Sequence, residues 1–294
     1  LIWKLAPALA AGNTVVIKPS ERASCSSLEL MKVLEEADLP DGLINVVTGF
    51  GTTTGAPLIE HDDVRMISFT GGTKGGSAAG LSASKKVKPI IMELGGKSPQ
   101  IVFEDADLNL SVNGVVSGIF PVTGHSCISG SRILVHKKIK DQFIKNLLEV
   151  VQKAKVGSPN DPNTQIGPIA NKEQYEFILS KINDAEKRGL KLLIDGRNEC
   201  KPDGYYIGPT IFDNVPNNDD LAQNEVFGPV ASIQSWENEE DVIKIANDTI
   251  YGLAAGIWTK DVNKAIRIAD RIEAGTVYIN NYFNASAQSP VGGY

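Results

Sequence analysis

Short β-branched runs alternate with stretches of helical periodicity along almost the whole chain, and that alternation admits few folds other than a parallel α/β sheet. The first run, residues 14–17, stops at Lys18-Pro19, because proline cannot donate to a sheet ladder. Ser20 reads as the N-cap of a helix over about 20–37, with Glu21 in the first turn, where the helix dipole favours negative charge. Leu28, Met31 and Leu34 fall on one face of that helix. A strand at 44–47 opens into a glycine-rich stretch, 48–55, and a further helix leads to a strand at 65–69, a second glycine loop at 70–76 and a helix ending near Ser84. The strand at 89–92 then delivers Glu93. In such sheets ligands sit at the carboxyl ends of strands, where both glycine loops fall. Neither loop has the Gly-x-Gly-x-x-Gly spacing of a dinucleotide fingerprint, so ordinary tight turns explain them equally well.

The rest reads as a second α/β unit. Helices are expected at about 106–120, 140–154, 172–188, 241–247 and 261–272, and strands at 133–136, 190–194, 205–212, 230–236, 253–258 and 276–279. A boundary near Gly95-Gly96 gives two domains, 1–94 and 95–294, and is expected to put Glu93 and Cys127 on opposite sides of one cleft.

Composition removes several function classes. The net charge is −6 and no Lys/Arg run exceeds a pair, so the concentrated basic face that nucleic acid requires is missing. Cys25, Cys127 and Cys200 are odd in number and far apart, which fits a reducing compartment better than a disulfide framework or a zinc site. His61 and His136 have no partner spacing for a metal, and no metal is expected. No run approaches the ~18 apolar residues of a spanning helix. The first twelve residues superficially resemble a signal sequence but lack a basic n-region, and both ends are expected to be cut ends of a longer chain.

Two stretches carry the chemistry. Gly124-His125-Ser126-Cys127-Ile128-Ser129-Gly130-Ser131-Arg132 places one thiol among small residues, between a helical pattern and a strand, where it can reach into a cleft. The alternative is a small buried apolar side chain, the usual fate of an unbridged cysteine. In Met92-Glu93-Leu94-Gly95-Gly96-Lys97-Ser98-Pro99 a carboxylate interrupts an apolar run just before two glycines. Its structural alternative is a strand-closing charge paired with a lysine such as Lys97.

Together these stretches resemble the NAD(P)-dependent aldehyde dehydrogenase superfamily, and the resemblance covers essentially the whole chain. It extends to Trp3-Lys4-Leu5-Ala6-Pro7, Lys18-Pro19-Ser20-Glu21, Phe69-Thr70-Gly71-Gly72-Thr73, Glu225-Val226-Phe227-Gly228-Pro229, Tyr251-Gly252-Leu253 and Ser289-Pro290-Val291-Gly292-Gly293-Tyr294. The implied fold is α/β, aldehyde-dehydrogenase-like, with two Rossmann-like parallel-sheet domains, of which 1–94 is the C-terminal part of a cofactor-binding domain and 95–294 is catalytic. The implied activity is oxidation of an aldehyde to a carboxylic acid. Cys127 is the implied nucleophile, since a thiolate adds to a carbonyl and leaves from a thioester. Glu93 is the implied general base for hydrolysis.

For the cofactor, the resemblance assigns Lys18 and Glu21 to the adenosine ribose, Gly71, Gly72, Thr73 and Gly76 to the pyrophosphate, and Glu225 and Phe227 to the nicotinamide ribose and ring. Ser20, Gly51 and Leu94 are further implied cofactor-binding residues. A carboxylate at Glu21 repels a 2′-phosphate and so favours NAD over NADP. Phe120, Tyr282 and Phe283 are expected to line the aldehyde tunnel. The implied partners are a small-molecule aldehyde and, for the complete protein, further copies in a homodimer or homotetramer, with no nucleic acid and no membrane. The expected location is cytoplasmic, with an organelle matrix left open as the alternative.

Three departures from the family pattern stand out. His125 replaces a usual glutamine, Gly72 a frequent serine, and the oxyanion-hole asparagine is expected in a Pro-Trp-Asn segment preceding Leu1. The isolated 294 residues are therefore expected to be inactive or nearly so. Two alternatives stay open at this point: a CoA-acylating relative, which has no need of Glu93, and a non-catalytic binding or structural member.

Overall fold

β-Branched runs closed by glycine or proline become strands in both parts of the chain, and the periodic stretches between them become the helices that connect strands in parallel. The computed structural model describes residues 1–284, 286 and 288–294, and the chain divides into two units, Leu1–Glu93 and Leu94–Tyr294.

The first unit opens with a helix, α1 (Ile2–Ala10), that encloses Pro7 and buries Leu5. Pattern reading assigned no element there, because a proline in the helix interior removes one backbone bond. Strand β1 (Val15–Ile17) leads through helix α2 (Ser24–Glu35) to β2 (Ile44–Val46), and the strands pair in parallel with Val15 opposite Ile44. Ser20 is not the cap of α2. Its hydroxyl accepts from the Arg22 amide and its carbonyl from Ala23 in a separate turn, and the helix starts later with Ala23 as an N-cap that offers no side chain. A serine side chain that satisfies a local turn is lost to the helix behind it, so Glu21 lies outside the helical dipole. On α2, Met31 and Leu34 are half-buried while Leu28 is exposed.

A π-helical turn, Gly51–Gly55, runs into α3 (Ala56–Glu60). Next come β3 (Ile67–Thr70), α4 (Thr73–Ser84) and β4 (Ile90–Glu93), with β3 and β4 parallel and Thr70 opposite Glu93.

The second unit is built on a seven-stranded sheet. Its elements are β5 (Pro99–Val102), α5 (Leu108–Ile119), β6 (Arg132–His136), α6 (Lys140–Val151), α7 (Lys172–Lys187), β7 (Lys191–Ile194), β8 (Thr210–Asp213), α8 (Asp220–Gln223), β9 (Val230–Trp236), α9 (Glu239–Asn247), β10 (Ala254–Trp258), α10 (Val262–Ala269) and β11 (Thr276–Ile279). The strand order is β11-β10-β5-β6-β9-β8-β7, parallel except for the β7–β8 pair. Alternate residues serve opposite faces: Ile133 and Val135 join α5 and α6 in one core, while Leu134 joins α9 and α10 in the other.

Two expectations change here. The central strand β5 has no counterpart in the sequence reading, because all four of its residues are buried and alternation of apolar and polar residues disappears when both faces are covered. Strand β8 begins only at Thr210, just past Pro209, which has no ladder N–H to give. Among the described residues, no helix is long and apolar enough to cross a membrane, and no group of three or more His, Cys, Asp or Glu is placed to hold a metal.

Candidate active site

In the second unit the thiol loop is assembled between the end of α5 and the start of β6. Val122 and Thr123 have φ of 53° and 57° and Gly124 of 70°, a left-handed run that β-branched residues adopt only under outside constraint. Thr123 is held by its hydroxyl on the Gly167 carbonyl, 3.2 Å. Gly124 is needed twice: its φ is positive, and a Cβ there would lie 2.3 Å from the Gly228 carbonyl carbon. Cys127 follows, half-buried. The next carbonyl, Ile128, accepts from the Tyr282 hydroxyl at 2.8 Å, and the Ser126 carbonyl accepts from the Ser129 amide.

The Gly95-Gly96 pair lies between the thiol loop and the 225–229 segment. A Cβ on Gly96 would come 2.3 Å from the Cys127 backbone oxygen, and one on Gly95 would come 2.4 Å from Glu225 Oε2. Gly96 also donates its amide to Glu225 Oε1 at 3.1 Å. Two residues without side chains thus bring a carboxylate and the thiol loop onto one short backbone segment. Burial raises the Glu225 pKa, against the Gly96 hydrogen bond and the Lys97 charge, which lower it. Lys97 is itself buried and pushed down to about 7 by desolvation, with Arg132 adding to the shift and Glu225 opposing it. Gln174 Nε2 bonds the Val226 and Phe227 carbonyls and holds Phe227 at a φ of 52°. The Phe227 ring packs on His125, centroids 5.5 Å apart. The His125 Nε2 is buried with no hydrogen-bond partner among the described residues.

In the first unit, β4 carries Glu93 to the loop before α4, where the Glu93 carbonyl accepts from the Gly71 amide. The side chain is half-buried, and desolvation raises its pKa against the pull of Lys4. Lys4, on α1, is tied to Ser68 Oγ and the Phe69 carbonyl at 2.8 and 3.0 Å. The cation set against Glu93 is therefore Lys4, whereas Lys97 is buried in the second unit among Glu225, Asp220 and Arg132.

Helix α4 has Gly72 as N-cap, no side-chain cap and no acidic residue in its first turn. Its leading amides are therefore available to an anion. At Gly72 and Gly51 a Cβ would meet nothing within 4 Å, so the backbone is open to approach there. Gly71 and Gly75 have another reason to be glycine: a Cβ on either would come 2.9 and 3.1 Å from the Phe69 ring. Thr73 is exposed and Gly76 buried. Lys18 Nζ bonds the Pro19 and Gly49 carbonyls and lies 3.5 Å from Glu21. A hydrogen bond that the Glu21 carboxylate accepts from its own backbone amide, together with the Lys18 charge, holds that carboxyl below its usual range. Ser20 is exposed beside this pair and Leu94 is half-buried.

The model of the Aldehyde dehydrogenase family matches residues 1–294. The chain belongs to the aldehyde dehydrogenase family. An aldehyde dehydrogenase of Emericella nidulans is 44% identical over 99% of this chain and 59% of its own length. Aldehyde dehydrogenase 1A1 of Gallus gallus is 44% identical over 100% of this chain and 58% of its own. A crystal structure of betaine aldehyde dehydrogenase from Staphylococcus aureus in complex with NAD+ has a TM-score of 0.95 at 38% identity, over 99% of this chain and 58% of that one. The chain thus spans about three fifths of the length of the relatives it matches.

Set within the family, the residues singled out from sequence fall into local groups: Lys18 with Glu21, Gly71 with Glu93, Cys127 with Glu225 through the glycine pair, and Phe227 with His125. The tunnel candidates fall differently. Phe120 and Tyr282 are buried in the main core cluster, and Phe283 is half-buried against the Tyr282 ring. Lys4 and Gln100 were missed as contributors. Lys4 is part of the Trp-Lys-Leu-Ala-Pro motif, so a signal existed, but nothing local connects a lysine on α1 with a carboxylate at the end of β4. Gln100, buried in β5, gave no signal apart from being polar in an apolar run.

Proposed function

We propose that this chain carries the nucleophile and the hydrolytic base of an NAD-dependent aldehyde dehydrogenase. The observation that supports this most is the glycine pair, whose amide holds Glu225 and whose bare α-carbon lies against the Cys127 carbonyl. Such an arrangement has no evident use in a core but suits a site where a thiol must be presented in one pose.

The residues fit the proposed cofactor. Lys18 and Glu21 would hold the adenosine ribose, and the open backbone at Gly72 and the α4 amides would hold the diphosphate. Glu225 and the exposed Phe227 would hold the nicotinamide riboside. An ionised Glu21 repels a 2′-phosphate, so NAD is favoured. The S. aureus relative binds NAD+. When bound, NAD supplies the two-electron acceptor.

Cys127 acts as thiolate: its sulfur forms a bond to the aldehyde carbon, and the carbonyl π pair moves to oxygen. Oxidation of that thiohemiacetal leaves a thioester on Cys127. Glu93, when ionised, takes a proton from water as the water oxygen bonds to the acyl carbon. The C–S bond then breaks, releasing the carboxylic acid and returning Cys127 as the thiolate, while Glu93 gives its proton to solvent and is ready again as a base.

The complete protein, given a panel of aldehydes with NAD or NADP, is expected to form NADH at least tenfold faster than NADPH, without stimulation by coenzyme A. Absence of NADH with every aldehyde, or full activity in Cys127→Ala, sinks the reading; stimulation by coenzyme A moves it to an acylating enzyme.

A further inference from the structure

The thiol loop is held from within the sheet by polar side chains that the chemistry above does not use. The Tyr282 hydroxyl donates to the Ile128 carbonyl at 2.8 Å, one residue beyond the nucleophile. The Gln100 Nε2 reaches the Gly130 carbonyl at 3.4 Å and the Val115 carbonyl at 3.4 Å, and Gln100 Oε1 accepts from Trp258 Nε1 at 3.2 Å. Tyr282 and Gln100 are both buried.

The backbone is cut away to admit them. A Cβ on Gly118 would lie 2.6 Å from Gln100 Nε2 and 2.8 Å from the Tyr282 ring, one on Gly130 would lie 2.4 Å from Gln100, and one on Gly256 would lie 2.9 Å from Tyr282. Three glycines on three different segments thus make room for two side chains, and both end on carbonyls of the loop that carries Cys127.

We propose that Tyr282, with Gln100 behind it, is a positioning residue for the nucleophile. A phenylalanine would fill the same volume without burying an oxygen, and burying a phenol is unfavourable unless its hydrogen bond is made. The one hydrogen bond that this oxygen gives is to the residue after the thiol. Gly96 also abuts the Cys127 carbonyl, so the loop is contacted at two successive carbonyls. Tyr278, ring centroid 4.9 Å from Tyr282, completes an aromatic pair behind the loop. Tyr282 thereby sets the pose of the thiol instead of lining the aldehyde path.

The proposal rests on reading Cys127 as the nucleophile, and its test has a readout independent of turnover. In the complete protein, Tyr282→Phe and Gln100→Met are compared with wild type for kcat, for KM with short and bulky aldehydes, for thermal midpoint, and for the pH profile of iodoacetamide capture of Cys127. Both variants are expected to lower kcat about tenfold or more, to leave KM within about twofold, and to displace the alkylation profile. A fall in thermal midpoint alone, with kcat and the alkylation profile at wild-type values, overturns it. A KM that rises for bulky aldehydes with kcat intact also overturns it, in favour of a tunnel lining. If Cys127→Ser stays active, the nucleophile reading fails, while the alkylation profiles still decide whether Tyr282 holds the loop.

Discussion

Replacing Gly96 by alanine is the sharpest single perturbation of the thiol loop. The added methyl would lie 2.3 Å from the Cys127 backbone oxygen and 3.4 Å from Leu253 Cβ. A carbon and a carbonyl oxygen settle at about 3.3 Å at closest, so the overlap is roughly 1 Å. It falls on backbone, which cannot swing aside, and the Gly96 amide is itself tied to Glu225. Overpacking of this size costs about 1–3 kcal/mol when a core absorbs it. Here the part most able to yield is the loop, and a displacement of about 1 Å at a reacting atom lowers a rate about 100-fold. Gly95→Ala is the control, because its methyl would meet the Glu225 carboxylate, 2.4 Å away, which is the end of a side chain and can rotate. In the complete protein, Gly96→Ala is expected to lower kcat and slow Cys127 alkylation together, while Gly95→Ala chiefly raises KM for NAD. Steady-state NADH formation and timed alkylation measure both. Wild-type kcat in Gly96→Ala would refute the argument that this glycine sets the thiol.

Glu93→Gln is expected to lower steady-state turnover by about 10²- to 10⁴-fold while leaving a rapid burst of NADH, since acylation does not need this base; unchanged turnover would remove Glu93 from the mechanism. Because burial raises the Glu93 pKa, the acid limb of kcat should lie above the range of an ordinary glutamate, and Lys4→Met, which removes the opposing cation, should move that limb to still higher pH. Desolvation lowers the His125 pKa below its usual 6.5. Below that value the unfolded chain takes a proton that the folded chain resists, so stability is present at neutral pH and is lost as pH falls through it. His125→Gln should shrink the difference in denaturant midpoint between about pH 7.5 and about pH 5.5; an identical difference in both proteins would show that His125 does not contribute.

The strand–helix alternation was legible because periodicity survives in any amphipathic or β-branched segment, and Thr14 to Ile17 or Lys140 to Val151 need no partner to be recognised. Cys127 and Glu93 could be singled out as candidates because an unusual residue type sits in each case near glycines that no helix or strand would choose. Other features had no local signature. Strand β5, covered on both faces, has no alternation to read, and Ser20 looks like a cap until its hydroxyl is found serving a turn.

What the order of residues determined by itself was the fold class and the family, with Cys127 and Glu93 as the two candidates for its chemistry, since these depend on spacing and chemical type along the chain. Only the tertiary structure decided that Lys4 is the cation whose charge acts on Glu93, that Gly96 lies against a carbonyl 31 positions later in Cys127, and that the Tyr282 hydroxyl bonds the Ile128 carbonyl. Those outcomes depend on which distant segments share a few ångströms of space, and that is set by packing the whole unit at once.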